Sequence, residues 1–323
     1  MECLLKLENV SIEAESNTKN LRITDNVSVL VNKGQTVGII GESGCGKSIT
    51  ALSILGLTNS NIKVREGNIF FGDVCLNKLP PKELRSICGK KIGMVFQEPS
   101  TALNPVFTIE QQLSAPMKNN LHMSKEEIKA RCLELLKDVG IKEPERVLKC
   151  YPHQLSGGMC QRVVIALSIS CNPQLLIADE PTTALDVTIQ LQILHIIKRL
   201  VRENNMSLLI ISHDMGVISM LSERICVMYG GEILEEDSRE NIMNSPMHPY
   251  SKMLITAAKE LNDGCKELSI LSGNVPRPED EIKGCKFAQR CEFCHDRCLQ
   301  ERPPLIKKEC GEGYVKCWNY VKD

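Results

Sequence analysis

Apolar positions along the chain recur with two periods. Residues 4–12 alternate in the manner of a half-buried strand, and residues 36–40 form a continuous apolar run that ends at Gly41. A helix is expected to open near Gly46 and to run to about Leu57. Short apolar runs at 68–71, 92–96, 175–178 and 208–211 predict further strands, the last two fully buried, with a helix over 187–202 between them. From about Thr108 to Gln161 the period is helical, and Ser124-Lys-Glu-Glu127 is a capping box for a helix that ends at Gly140. Residues 225–228 and 232–234 flank Gly230-Gly231, a two-residue hairpin signal. Strands alternating with helices predict an α/β fold with a mostly parallel sheet. Beyond about Leu261 the periodicity fades into Pro, Gly and Cys. The expected domains are therefore 1–261, with a helical insertion at about 108–161, and a small cysteine-rich region at 262–323.

Composition narrows the function classes. With 42% hydrophobic and 24% charged residues, the 323-residue chain is an ordinary globular one. A net charge of -1 gives no footprint for nucleic acid or an anionic membrane, and 4% aromatic residues argue against base-stacking platforms. The first twenty residues lack a basic start followed by an apolar run, and no apolar stretch is long enough to span a bilayer. A cytosolic protein with reduced thiols is expected, so its 16 cysteines are not read as a disulfide framework. Ten of them, from Cys3 to Cys265, read as small buried residues, whereas six crowd the last 39 positions.

The strongest chemical signal is Gly41-Glu-Ser-Gly-Cys-Gly-Lys-Ser48, placed between a predicted strand and a predicted helix. Its glycines let successive backbone N–H groups turn inward as an anion nest at a helix N-terminus. Lys47 is expected to reach the β- and γ-phosphates of a nucleotide, and the Ser48 hydroxyl to bind Mg²⁺. Gly41, Ser43, Gly44, Cys45, Gly46 and Ile49 complete the expected nucleotide contacts. Asp179 ends an apolar strand and would serve the Mg²⁺ shell, and Glu180 is the candidate to polarise an attacking water.

Three further elements extend the pattern: Leu155-Ser-Gly-Gly-Met159 before a helix, Gln97 at a strand end, and Ser212-His213-Asp214 after another strand. With Ala184-Leu185-Asp186, this order resembles the ATP-binding subunits of ABC transporters over essentially the whole chain. The resemblance implies a head-to-tail dimer in which Ser156, Gly157 and Gly158 of one subunit cap the γ-phosphate of ATP bound by the other. It also implies that Gln97 contacts Mg²⁺ and the attacking water, that His213 holds the γ-phosphate beside Glu180, and that Asp186 reaches across the dimer. Catalysis would then rest on Glu180, His213 and Gln97.

A narrower resemblance lies in Phe96-Gln97-Glu98-Pro99, Pro246-Met-His248-Pro249-Tyr250 and Gly284-Cys285-x-Phe287-Ala288-x-Arg290-Cys291. These look like dipeptide/oligopeptide importer ATPases, whose relatives also carry nickel or metal–opine complexes. It implies two permease subunits, an external solute-binding protein and a second, non-identical ATPase as partners, on the cytoplasmic face of the cell membrane. A soluble ABC ATPase of DNA repair or translation is the remote alternative. That reading lacks the expected heptads, zinc hook or second cassette.

The spacing Cys285-x5-Cys291-x6-Cys298, with Cys317 further on, is similar to the family's four-cysteine tail, which implies a [4Fe–4S] cluster. Spacing alone leaves zinc open through Cys291-x2-Cys294, and leaves Cys310 open as the fourth ligand. Two departures stand out. No aromatic residue precedes Phe70, so the adenine-stacking position falls near Ala14, and only a modest preference for ATP over other nucleotides is expected. Cys160 follows Met159 where relatives carry a basic residue, with a small effect expected. Cys45, inside the loop, is expected to be alkylation-sensitive.

Overall fold

The computed structural model describes residues 2–16, 19–183, 185–262, 273–308 and 313–321; Ala184, Cys265 and Cys310 lie outside them. Along the chain the strands are β1 (Cys3–Ala14), β2 (Leu21–Asn32), β3 (Thr36–Ile40), β4 (Ile62–Phe71), β5 (Val74–Cys75), β6 (Ile92–Val95), β7 (Leu175–Asp179), β8 (Ser207–Ser212), β9 (Arg224–Tyr229), β10 (Glu232–Ser238), β11 (Ile306–Lys307) and β12 (Tyr314–Val315). They belong to two units. The first comprises Met1–Glu2, Asn32–Gln35 and Leu79–Ile210, and the second Cys3–Val31, Thr36–Lys78 and Ile211–Asp323.

In the first unit, β6 and β7 pair in parallel from Ile92 opposite Leu175 to Val95 opposite Ala178. Both strands are buried throughout, as continuous apolar runs require. The helix Gly157–Ser168 closes on β6 where Gly93 has no side chain. A Cβ there would lie 2.1 Å from the Ser168 carbonyl oxygen. The helices Ile109–Asn120 and Lys125–Asp138 both open with reciprocal capping boxes, at Thr108/Gln111 and Ser124/Glu127, each cap contributing about 1 kcal/mol. Ile128, Cys132, Leu135 and Leu136 form the buried face of the second helix, spaced at three and four residues. Gly140 follows it at φ 78°, a left-handed turn that suits glycine.

In the second unit, β1 lies between β2 and β4, and β5 completes that antiparallel sheet. β2 has no counterpart in the sequence prediction, although Val27, Val29 and Val31 alternate with half-exposed positions. β3 runs parallel to β9, from Val37 opposite Arg224 to Ile40 opposite Val227. β9 and β10 form the expected hairpin, with Gly230 at φ 52° and Gly231 at φ 85°, both positive as a type I′ turn demands. The sheet then continues antiparallel through β12 to β11, so on this side the parallel expectation gives way. The two tail strands are only two residues long each, too short for a periodicity to register.

Candidate functional site

In the second unit the phosphate loop joins β3 to the helix Lys47–Leu55. Gly44 and Gly46 adopt φ 81° and 104°, which L side chains rarely occupy. A Cβ at Gly41 would meet the Met228 carbonyl oxygen at 2.1 Å, so the loop's entry is pressed against β9. The Lys47 side chain is buried and its Nζ donates to the carbonyl oxygens of Gly41 (2.7 Å) and Glu42 (2.9 Å). The ammonium thus sits within the curve of the loop. Cys45 is also buried, and burial raises its thiol pKa against the opposing pull of Lys47. The sequence suggested a reactive Cys45; a buried neutral thiol is a slow nucleophile instead.

The outside of this loop is held by residues far along the chain. The Glu42 N–H donates to the Tyr250 hydroxyl at 3.0 Å. Arg290 Nη1 donates to both Glu42 carboxylate oxygens at 3.0 and 3.1 Å and to the Tyr229 hydroxyl at 3.1 Å. Burial works against the Arg290 charge, but the Tyr229 and Glu42 bonds outweigh it and raise its pKa. Tyr229, Tyr250 and Phe287 pack as three mutually close rings, with centroids 4.7 to 5.3 Å apart. His248 lies against Phe287, and burial lowers its pKa to about 3, so its ring is neutral. Its Nδ1 accepts the Tyr250 N–H at 3.0 Å. The Met247 and His248 N–H groups both donate to the Glu235 carboxylate. Lys308, almost fully buried, pairs with Glu235 at 2.6 Å and Asp237 at 2.9 Å. His213 is exposed at the end of β8, and Asp214 after it caps the helix Met215–Leu221.

In the first unit, a second cluster forms just beyond β6 and β7. Asp179 and Glu180 are buried. Gln97 Nε2 donates to Glu180 Oε2 at 3.3 Å, and the Thr183 hydroxyl donates to the same oxygen at 2.9 Å. Glu180 has φ 45°, a left-handed conformation that costs a non-glycine residue about 1–3 kcal/mol. The segment is pinned by Gln161, whose Nε2 donates to the Pro181 carbonyl at 2.6 Å. Ser156 caps the helix Gly157–Ser168 through the Met159 N–H, and Ser156 and Gly157 are exposed. Arg162 of that helix donates to the Val139 carbonyl at 2.6 Å and to Gln192 at 2.8 Å. Asp186 caps the helix Val187–Glu203 by accepting the Ile189 N–H at 2.9 Å. Cys160 is buried, with its thiol 3.5 Å from the Pro152 carbonyl oxygen.

The expected iron–sulfur cluster, and zinc as its alternative, do not hold. Cys285, Cys291, Cys298 and Cys317 do line one cavity, together with Phe287, Ala288, Phe293 and Trp318. Its volume is about 20 Å³, room on the scale of one water. Among the described residues, no three His, Cys, Asp or Glu side chains are grouped to hold a metal ion. Burial pushes the Cys285 thiol up to about 12 and raises Cys291 and Cys317 as well. Other interactions fasten the tail. The Cys285 N–H donates to the Cys298 carbonyl at 2.8 Å, and Lys286 and Arg302 both pair with Glu232. The Arg297 guanidinium sits 3.7 Å above the Trp318 ring.

Thr183, Gln161, Tyr229, Tyr250 and Arg290 were not singled out as site residues from sequence. Thr183 had a local signal, lying three residues beyond Glu180. Tyr250 and Arg290 stand in the two motifs of the narrower resemblance, yet no spacing ties them to a loop some two hundred residues earlier.

Comparison with known proteins fits this geometry. Residues 24–183 match the ABC transporter family, and residues 234–298 match the oligopeptide/dipeptide transporter C-terminal region. The chain is 41% identical to the oligopeptide transport ATP-binding protein AppD of Bacillus subtilis, over 100% of this chain and 98% of the relative. It is 40% identical to the dipeptide transport ATP-binding protein DppD of Escherichia coli, over 94% and 92%. A dimer of the ATP-binding cassette MJ0796 bound to ADP and phosphate superposes with a TM-score of 0.66 and 33% identity, covering 73% of this chain and 99% of that one. On these matches, the chain belongs to the ATP-binding proteins of the oligopeptide/dipeptide ABC transporter family.

Proposed function

We propose that this chain hydrolyses ATP to power the import of di- or oligopeptides. The observation that carries this reading is the presence in one chain of two family matches, an ABC ATPase and an oligopeptide/dipeptide transporter C-terminal region. Nothing favours nickel, metal–opine or soluble roles over it. Lys47 binds the β- and γ-phosphates, turning from the Gly41 and Glu42 carbonyls, while the N–H groups of residues 41–49 cradle them. The hydroxyl of Ser48, the carboxylate of Asp179 and the amide of Gln97 offer hard oxygen ligands of the kind Mg²⁺ takes. Mg²⁺, when bound, offsets charge on the phosphate oxygens.

Glu180 is the base that orients and deprotonates the attacking water. Its carboxylate is already aimed by Gln97 and Thr183, which supports this role. His213 holds the γ-phosphate. Ser156, Gly157 and Gly158 face a second ATPase subunit and cap the γ-phosphate bound there, the exposure of Ser156 and Gly157 leaving them available for it. Asp186 reaches across the same dimer. The partners are two permease subunits, an external solute-binding protein and a second, non-identical ATPase.

Among the described residues no helix is long and apolar enough to cross a membrane. We place the chain peripherally, on the cytoplasmic face, with residues 1–261 as the ATPase domain and 262–323 as the importer tail. Glu180→Gln tests the mechanism: turnover should fall by about a thousandfold while MgATP binding persists, a loss typical of removing a general base. Turnover near wild type would remove Glu180 from that role.

A further inference from the structure

We propose that Arg290, carried by the C-terminal tail, is a positioning residue for the phosphate loop: it holds Glu42 and neutralises its carboxylate, so that the loop can receive a nucleotide. The inference rests on the ATP-binding reading above and adds to it a dependence of that site on the tail.

Glu42 is an awkward residue for its place. It directly follows the first glycine of a loop that must surround several negative phosphate charges. An unpaired carboxylate there would repel them. Arg290 removes that penalty with charge-assisted bonds to both carboxylate oxygens. Glu42 is held at two more points. Its N–H donates to Tyr250, and its carbonyl accepts from the ammonium of Lys47. The position of Glu42 therefore determines where Lys47 rests.

The brace is built rather than incidental. The Arg290 side chain is 5% exposed, and its guanidinium carbon lies 5.6 Å from the Tyr229 ring centre and 6.0 Å from that of Phe287. A chain with 4% aromatic residues has gathered Tyr229, Tyr250 and Phe287 behind one loop. Tyr250 is fixed in turn by neutral His248. A second link runs through the hairpin: the Gly231 N–H donates to the Cys45 carbonyl at 2.9 Å, and Lys286 donates to the Gly230 carbonyl at 2.5 Å. Both importer-type motifs, around His248 and around Arg290, thus converge on the loop.

The test is calorimetric titration of the full chain with MgADP. Arg290→Met should weaken binding roughly tenfold, the scale of losing charge-assisted bonds to a half-buried carboxylate. Adding Glu42→Gln to Arg290→Met should restore most of that loss, because the unpaired carboxylate is then gone. A role confined to packing against Tyr229 and Phe287 predicts no such rescue. Arg290→Met within about twofold of wild type, or a double variant as weak as the single, would overturn the proposal. If Arg290→Met does not fold, Arg290→Gln keeps a donor and much of the stem, with the same expected order and the same overturning result. Wild type that binds no MgADP would overturn the ATP-binding reading along with this one.

Discussion

The phosphate loop and the cysteine-bearing tail both belong to the second unit, and both looked like sites in the sequence. The loop adopts the backbone shape its glycines predict, whereas among the described residues the cysteines form no group that could hold a metal ion. In the loop, the shape follows from backbone geometry that two glycines allow locally: Gly44 and Gly46 take positive φ, and Lys47 follows at once. The pattern can be read without a distant residue, even though Arg290 and Tyr250 brace the loop from far along the chain. In the tail, the cysteines needed to converge, to lose protons and to leave room between them. They converge on one cavity, but it is small and lined by Phe287 and Phe293. Spacing reports a backbone-made site reliably. It reports a side-chain-made site only when the surroundings cooperate.

Lys47→Ala is the sharpest way to probe the loop side of this contrast. Replacing the buried ammonium should weaken MgATP binding by about a hundredfold in calorimetry, the scale of losing charge-assisted bonds to phosphate. Unchanged affinity would mean that the loop is not the site.

Where the tail's Phe287 packs against it, His248 supplies a pH signature of a smaller size. Its pKa is about 3 in the fold against an ordinary value of 6.5, so the unfolded chain takes up a proton that the fold refuses. Stability is then intact above pH 6.5 and declines as pH falls toward 3, by about 2 kcal/mol at pH 5. In His248→Asn, which keeps an acceptor for the Tyr250 N–H, chemical denaturation at pH 7 and pH 5 should differ by much less than in wild type. An equal slope in both proteins would place the proton elsewhere.

The smallest expected effect concerns metal. Prolonged dialysis of the anaerobically purified chain against a strong chelator should leave its Tm within about 1 °C, since among the described residues no group of ligands is placed to add metal-binding free energy to folding. A drop of several degrees, with iron or zinc released, would restore the tail to the status of a metal module.

Much of the fold was legible where a single period dominated. β3 matched its apolar run residue for residue, and the Ser124 capping box opened its helix as read. The Gly230-Gly231 turn behaved likewise, since both positive φ values are glycine's to give. β2 was missed although its valines alternate, because Asp25 and Asn26 interrupt the run. Within the candidate site, Gln97 and Glu180 could be paired only through the order of motifs that the family resemblance implies. Their contact depends on β6 and β7 being neighbours, which no local pattern states. The Arg290 brace was illegible for the same reason. Its partners Glu42 and Tyr229 lie in segments with nothing in common but the space between them.

Glu180 carries one more consequence, for anyone who would evolve this protein in the laboratory. Its φ of 45° suits glycine or asparagine better than glutamate. Neither of those side chains can accept a proton from water. A screen for thermal tolerance at this position would therefore enrich substitutions that a screen for turnover would discard. The two selections pull a library in opposite directions at a single codon.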